Sequence, residues 1–277
     1  MPWRNYSSID LERQYNPRLS IPDFDYVIAP FQVLSEETRN RHPHRNDVRY
    51  GPGNKETFDF FPASEPNAPI HIFFHGGYWR AQDKREHAFV ARDLVGEGFN
   101  VIIANYDLCP DVTIEEIIEQ AIRCVLYTHK HGHELGGDPS RISISGHSAG
   151  GQIVAKLCAN RFSGPLIKAA VAISGVFHLE PLRFTSINEA ARMTEETAKI
   201  NSPYHDPAPE NVAPLLMLGG GESEEFHRQS EEYAEKCRIA GHEVDVIPVG
   251  TCNHIDVLPE IYLKGGEGYR AFLKAIT

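Results

Sequence analysis

The sequence predicts an α/β fold with a mostly parallel central sheet and helices on both of its faces. Two observations carry this. From about residue 57 onward, apolar runs alternate with segments whose apolar residues recur near a 3.6-residue period. The apolar runs are also nearly continuous instead of alternating with polar residues, which suits strands covered on both faces.

The expected strands, in chain order, are TFDFFPA, PIHIFFHG, NVIIANYD, RISISGHS, AAVAISGVF, PLLMLGG and HEVDVIPV. Between and after them the expected helices are KREHAFVARDLVGEG, TIEEIIEQAIRCVLYTHK, GGQIVAKLCANR, SEEFHRQSEEYAEKCRIAG and GEGYRAFLKAI. In the second helix, Ile114, Ile117, Ile118, Ala121, Ile122 and Val125 fall on one stripe. Two segments break the rhythm, residues 1–50 and 178–213. Both are mainly polar or proline-rich, and neither holds enough apolar residues for a core of its own. The expectation is one domain over residues 1–277, with 1–50 as an N-terminal cover and 178–213 as a cap-like insertion over one end of the sheet.

A net charge of −11 disfavours a nucleic-acid or anionic-membrane partner and makes a small neutral or cationic ligand easier to attract. The first residues, MPWRNYSSIDLERQYNPR, carry charges throughout and lack the apolar centre of a signal peptide. No stretch approaches the roughly 18 apolar residues of a membrane span. The expected location is the cytoplasm, and a homodimer is compatible with the sequence. The five cysteines (Cys109, Cys124, Cys158, Cys237, Cys252) form no CxxC pair, so neither a zinc site nor a disulfide framework is expected of them. The histidines of HKHGHELGGDP (His129, His131, His133) end a helix, where they meet the C-terminal dipole favourably, and no carboxylate pattern accompanies them. No metal and no cofactor is expected.

The chemistry is concentrated elsewhere. In RISISGHSAGGQIVAKL a strand runs into Gly146-His147-Ser148-Ala149-Gly150, a G-x-S-x-G match, and a helix pattern begins at once. That is the setting of a nucleophilic serine on a strained strand-to-helix turn, where only small neighbours fit. A serine nucleophile needs two N–H donors for the oxyanion it generates. One is the backbone N–H of Ala149. The other is expected from HIFFHGGYWR, upstream as the topology requires, where Gly76 and Gly77 let the backbone approach the reacting oxygen. His75 is expected to brace that loop. Tyr78 and Trp79 are candidates to flank an aromatic leaving group, or else to pack beneath the N-terminal cover. Arg80 faces an acidic substrate group or is a surface charge.

The remaining members should follow in the order serine, acid, histidine. His254, in the loop PVGTCNHIDVL after the last expected strand, is the expected base, ahead of His178, His205, His227 and His242. After PLLMLGG, three carboxylates compete. Glu222 is first out of the strand. Glu224 and Glu225 fall in the opening turn of the next helix, where acids commonly complement the dipole. Glu222 is expected, with Glu224 as the runner-up.

Taken together, HGGYWR, GHSAGGQ, GGGESEEFHRQSEEY and NHI, with LERQYNPR near the start, resemble the arylformamidase (kynurenine formamidase) branch of the α/β-hydrolase superfamily. The resemblance implies an α/β-hydrolase fold with Ser148 as nucleophile, Glu222 as acid and His254 as base, and Gly76, Gly77 and Ala149 around the oxyanion. It implies a metal-independent serine hydrolase that cleaves a small acyl amide of an aromatic amine, of the N-formylkynurenine type. Glu stands where Asp is more usual for the acid, and Gln152 departs from several relatives. Because relatives also act on other amides and aryl esters, a carboxylesterase for short-chain or aryl esters is the alternative.

Overall fold

The computed structural model describes residues 3–159, 162 and 165–277. Its strands are β1 (Arg45–Arg49), β2 (Thr57–Phe61), β3 (Ala68–Phe74), β4 (Asn100–Ala104), β5 (Gly137–His147), β6 (Ile167–Ile173), β7 (Leu215–Gly219) and β8 (Val246–Val249). Among the described residues they form one eight-stranded sheet in the order β1-β2-β4-β3-β5-β6-β7-β8. The β1–β2 and β2–β4 pairings are antiparallel and all the later ones parallel.

The helices are α1 (Ser8–Tyr15), α2 (Pro17–Ser20), α3 (Phe24–Arg41), α4 (Ala91–Leu94), α5 (Ile114–His131), α6 (Ala149–Ala159), α7 (Asn188–Ala191), α8 (Glu195–Asn201), α9 (Glu224–Ile239), α10 (Val257–Tyr262) and α11 (Tyr269–Ile276). Successive strand residues point to opposite faces, so both faces acquire a core. Ile70, Ile72 and Phe74 of β3 pack with Ile102, Ile142 and Ile144 and with the apolar stripe of α5 on one side. Phe73, Val101, Ile103, Val171 and Ile173 meet Phe89, Leu94, Tyr262 and Phe272 on the other. Double coverage is why these strands read as unbroken apolar runs. Helix α5 starts at a capping box in which Thr113 and Glu116 satisfy each other's backbone N–H, and its stripe is buried except for Ile122 at the margin.

Two expectations are corrected. The segment RNDVR, taken as polar cover, is an edge strand, β1; it bonds through one side only and has no apolar partner sheet to match, so it carries no strand-like pattern. The continuous helix expected over residues 84–98 is broken into 3-10 turns at Lys84–Glu86 and Ala88–Val90 followed by the short α4. Ala88, Phe89, Val90 and Ala91 are all fully buried, and Phe89 packs on Phe31 of α3 at 4.8 Å between ring centroids. A segment buried all round is under no demand to keep one apolar face. The helix expected over 150–161 is α6, and residues 160–161 lie outside the described residues.

The N-terminal helices dock on the functional end of the sheet. Tyr15 donates to Glu225 of α9 at 2.5 Å, and Tyr78 of the loop after β3 donates to the Tyr15 carbonyl.

Candidate active site

Ser148 occupies the turn between β5 and α6 in the left-handed region, φ 57°, an unusual conformation for a residue with a side chain. Its N–H is held by the Ile173 carbonyl of β6 at 2.8 Å, so the neighbouring strand fixes the turn. The strand and helix approach so closely that a β-carbon on Gly150 would lie 2.0 Å from the Phe74 carbonyl oxygen. The small residues of GHSAGG are therefore a steric requirement of the turn.

The loop after β3 faces this serine. A β-carbon on Gly76 would lie 3.2 Å from Ser148 Cβ, and Gly77 has φ +99° with its own missing β-carbon 2.2 Å from the Ala81 carbonyl oxygen. The Gly77 carbonyl accepts from the N–H groups of Arg80 and Ala81, which folds the loop back on itself. Among the described residues no acceptor faces the N–H of Gly76 or of Gly77, as an oxyanion site requires. Ala149 opens α6, directly after the serine. His75 is fully buried beneath the loop, its ring nitrogens 2.8 Å from the Gly76 carbonyl oxygen and 2.9 Å from Asn105 Oδ1, and stacked on Tyr106 at 4.3 Å.

His254 and Glu222 come together because the loops after β7 and β8 are bonded to each other, Gly220 N–H to Val249 and Gly221 N–H to Cys252. His254 Nδ1 lies 2.7 Å from Glu222 Oε2, and since an ionised carboxylate only accepts, Nδ1 carries the proton and Nε2 is left with its lone pair. Glu222 Oε1 accepts from Ser174 Oγ at 2.5 Å and from the Gly219 N–H at 2.7 Å. The competing acids are occupied otherwise. Glu224 is exposed at the start of α9, and Glu225 is paired with Arg228 at 2.6 Å. Asp256 caps the histidine loop, accepting from the backbone and side-chain N–H groups of Asn253. Of the other late histidines, His242 contacts the Pro209 carbonyl, His227 is half-buried on α9, and His178 and His205 lie together at Glu180.

Ser148 and His254 line one cavity of about 450 Å³, together with Gly77, Tyr78, Arg80 and His147. Its far wall comes from the N-terminus, including Pro17, Phe24 and Ile28. Arg80 is at the cavity and also donates to the Ser186 carbonyl at 2.9 Å. Trp79 is placed differently from the expectation of a substrate contact. It is fully buried, it does not line the cavity, and its indole N–H donates to Gln152 of α6 at 3.2 Å; a left-handed backbone at both Tyr78 and Trp79 turns the indole inward. Gln152 in turn bonds the Asn201 carbonyl, so the tryptophan couples the glycine loop to the elbow helix.

Sequence reasoning missed three residues. Ser174, at φ 49° directly after β6, supplies one of the donors to Glu222; its only signal is a serine at the end of an apolar run. His147 donates Nε2–H to the His254 carbonyl at 2.8 Å, and burial, with His254 beside it, pushes its imidazole well below the ordinary value, so it is neutral. Phe226 packs on the His254 ring at 4.5 Å. Burial also drives the Tyr78 phenol upward, with the Glu222 charge adding to it, so Tyr78 stays protonated.

A family model described as the alpha/beta hydrolase fold matches residues 71–257. The chain is 30% identical to kynurenine formamidase of Danio rerio over 276 residues, which is 94% of this chain and 93% of that protein. The chain belongs to the α/β-hydrolase family, in its kynurenine formamidase-like branch. This hydrolase is also 24% identical over 290 residues to kynurenine formamidase of Drosophila melanogaster, covering 98% of this chain and 94% of the relative. Its likeness to carboxylesterase NlhH of Mycobacterium tuberculosis (strain ATCC 25618 / H37Rv) is 36% over 95 residues, only 34% of this chain and 30% of that one. Among solved structures, a protein of Silicibacter sp. TM1040 provisionally named a thioesterase superposes on the hydrolase with a TM-score of 0.85 at 26% identity, over 96% of this chain and 98% of that chain. A Pyrobaculum calidifontis esterase shares the fold, with a TM-score of 0.70 at 19% identity over 100% of this chain and 97% of its own.

Proposed function

We propose that this hydrolase cleaves a small acyl amide of an aromatic amine, of the N-formylkynurenine type, through an acyl-enzyme on Ser148. The observation that carries the reading is the convergence of Ser148 and a Glu222-oriented His254 on one cavity roofed by the Gly76-Gly77 loop. Ser148 Oγ attacks the acyl carbon while His254 Nε2 takes the hydroxyl proton. The N–H groups of Ala149 and the glycine loop receive the negative oxygen, and Glu222 stabilises the imidazolium. His254 then returns the proton to the leaving arylamine as the C–N bond breaks. Water, deprotonated by the same imidazole, attacks the acyl-serine and releases the short carboxylic acid and free Ser148. No step calls for a metal or a cofactor. Tyr78 at the cavity wall offers an aromatic face for the leaving group.

The length of match to the formamidases favours the amide reading. The likeness to carboxylesterase NlhH over 95 residues favours a second one, a carboxylesterase acting on short-chain or aryl esters. Comparing kcat/KM on N-formylkynurenine with that on aryl acetates separates the two; an advantage for the ester would overturn the amide reading. Labelling by an organophosphate, lost in Ser148→Ala, tests the nucleophile. No helix of the described residues is long and apolar enough to cross a membrane, and a cytoplasmic location and a homodimer belong to the same proposal.

A further inference from the structure

We propose that His178, Glu180 and His205 bind one divalent first-row transition ion of the zinc class, at the base of the segment that links β6 to β7. The donor atoms of these three residues all lie within 4.8 Å of one another. His178 Nδ1 is 3.9 Å from Glu180 Oε2, and His205 Nε2 contacts Glu180 Oε1. Tetrahedral ligands about 2.0 Å from zinc stand about 3.3 Å apart, so modest side-chain rotation is enough to close the set. Two imidazoles and one carboxylate form a donor set that zinc favours, with the fourth position left to solvent on the side of exposed His205.

A second observation points to a ligand. His178 is only 8% exposed, and neither of its ring nitrogens has a hydrogen-bond partner. Its Nε2 is 3.3 Å from Glu232 Oε2. A carboxylate behind a ligating histidine is the usual outer support of such a site, and a small rotation of either side chain would bring Glu232 into hydrogen-bonding geometry with Nε2.

The three ligands are held independently of any ion. Gln229 Oε1 accepts from the N–H groups of Phe177 and His178, Ser202 Oγ donates to Glu180 Oε2, and Tyr204 N–H bonds the Phe177 carbonyl. Tyr204 stacks on His178 at 3.9 Å. Such anchoring holds the donors near binding geometry. The ion would join the start of the segment, at 178 and 180, to its return at 205. Between these points Ser186 bonds Glu12 through both its N–H and its hydroxyl, and its carbonyl accepts from Arg80 at the cavity. The site therefore staples the segment that meets the cavity wall, and it takes no part in the hydrolysis itself.

The test uses chelator-treated full-length protein, dialysed against zinc and, separately, cobalt. The expected result is one zinc per chain, a visible-region cobalt band of tetrahedral character, and slower amide exchange over residues 186–205 when zinc is present. His205→Gln and Glu180→Gln, both at partly or fully exposed positions, should each weaken binding about tenfold or more and remove the exchange effect. His131→Gln, in the polar histidine run of α5, should change nothing. Organophosphate labelling of Ser148 reports that each variant is folded. Absence of saturable zinc binding at micromolar metal, binding unchanged in His205→Gln, or binding lost in His131→Gln would overturn the proposal.

Discussion

His254 Nδ1 and Glu222 Oε2 stand 2.7 Å apart, and the second oxygen of that carboxylate is held by Ser174 and the Gly219 N–H. Three donors on one carboxylate fix its position, and through it the tautomer of the imidazole. Glu222→Gln keeps the shape but can present an N–H to Nδ1, which favours the wrong tautomer. The expected outcome is a fall in kcat of about 10⁴-fold with the fold intact by circular dichroism. A variant retaining a tenth of the activity would remove Glu222 from the mechanism.

Gly77→Ala should act on the oxyanion loop. At φ +99° an added methyl is strained, and it would meet the Ala81 carbonyl oxygen at 2.2 Å, so the loop must move. Loss of one oxyanion donor costs about 10²- to 10³-fold in kcat. The change should appear in kcat with KM little altered, because the donors act on the tetrahedral intermediate more than on bound substrate.

Ser174→Ala removes one charge-assisted donor from Glu222 while leaving the carboxylate and His254 in place. A hydrogen bond to a charged group is worth about 1.5–3 kcal/mol, and part of that is recovered from Gly219 and from solvent. The expected loss is about tenfold in kcat. Restoration by Ser174→Thr is not expected, because a β-branched residue is poorly tolerated at φ 49°. An alanine variant with wild-type kcat would show that Gly219 alone positions the acid.

How much of this was legible in the sequence depends on how local the cause was. Ile70, Ile72, Phe74 and the runs of β4 to β7 are buried on both faces, and that burial writes itself into composition. GHSAGG is legible because its packing forbids side chains at fixed positions. Glu222 and His254 could be nominated because Glu222 is first out of its strand and His254 lies in the loop after the last strand, in the chain order serine, acid, histidine. Trp79 was not legible: whether an aromatic after a glycine loop points into a cavity or beneath it is set by two left-handed backbone residues and by Gln152, 73 positions away. Ser174, the edge strand β1 and the cavity wall from Pro17 and Phe24 depend in the same way on contacts between distant segments, which leave no periodic trace.

Acid sensitivity follows from buried histidines, and His87 isolates one of them. Burial lowers the pKa of His71 and of His87 to about 3, against an ordinary value of 6.5. The folded protein therefore excludes protons that the unfolded chain accepts once pH falls below 6.5, and stability is lost as pH drops from there toward about 3. Each such group contributes a slope of about 1.4 kcal/mol per pH unit in that window. His87 packs among Phe31, Phe73 and Phe89, donates Nδ1–H to the Asp83 carbonyl at 3.1 Å, and has a buried Nε2 with no partner. His87→Phe keeps the aromatic packing, removes the unsatisfied nitrogen and loses one hydrogen bond, so stability at neutral pH should change by only about 1 kcal/mol. Denaturant unfolding from neutral pH down to about pH 4 should show the acid limb of the variant shallower by about one proton. An unchanged limb would mean that His87 takes up its proton in the folded state.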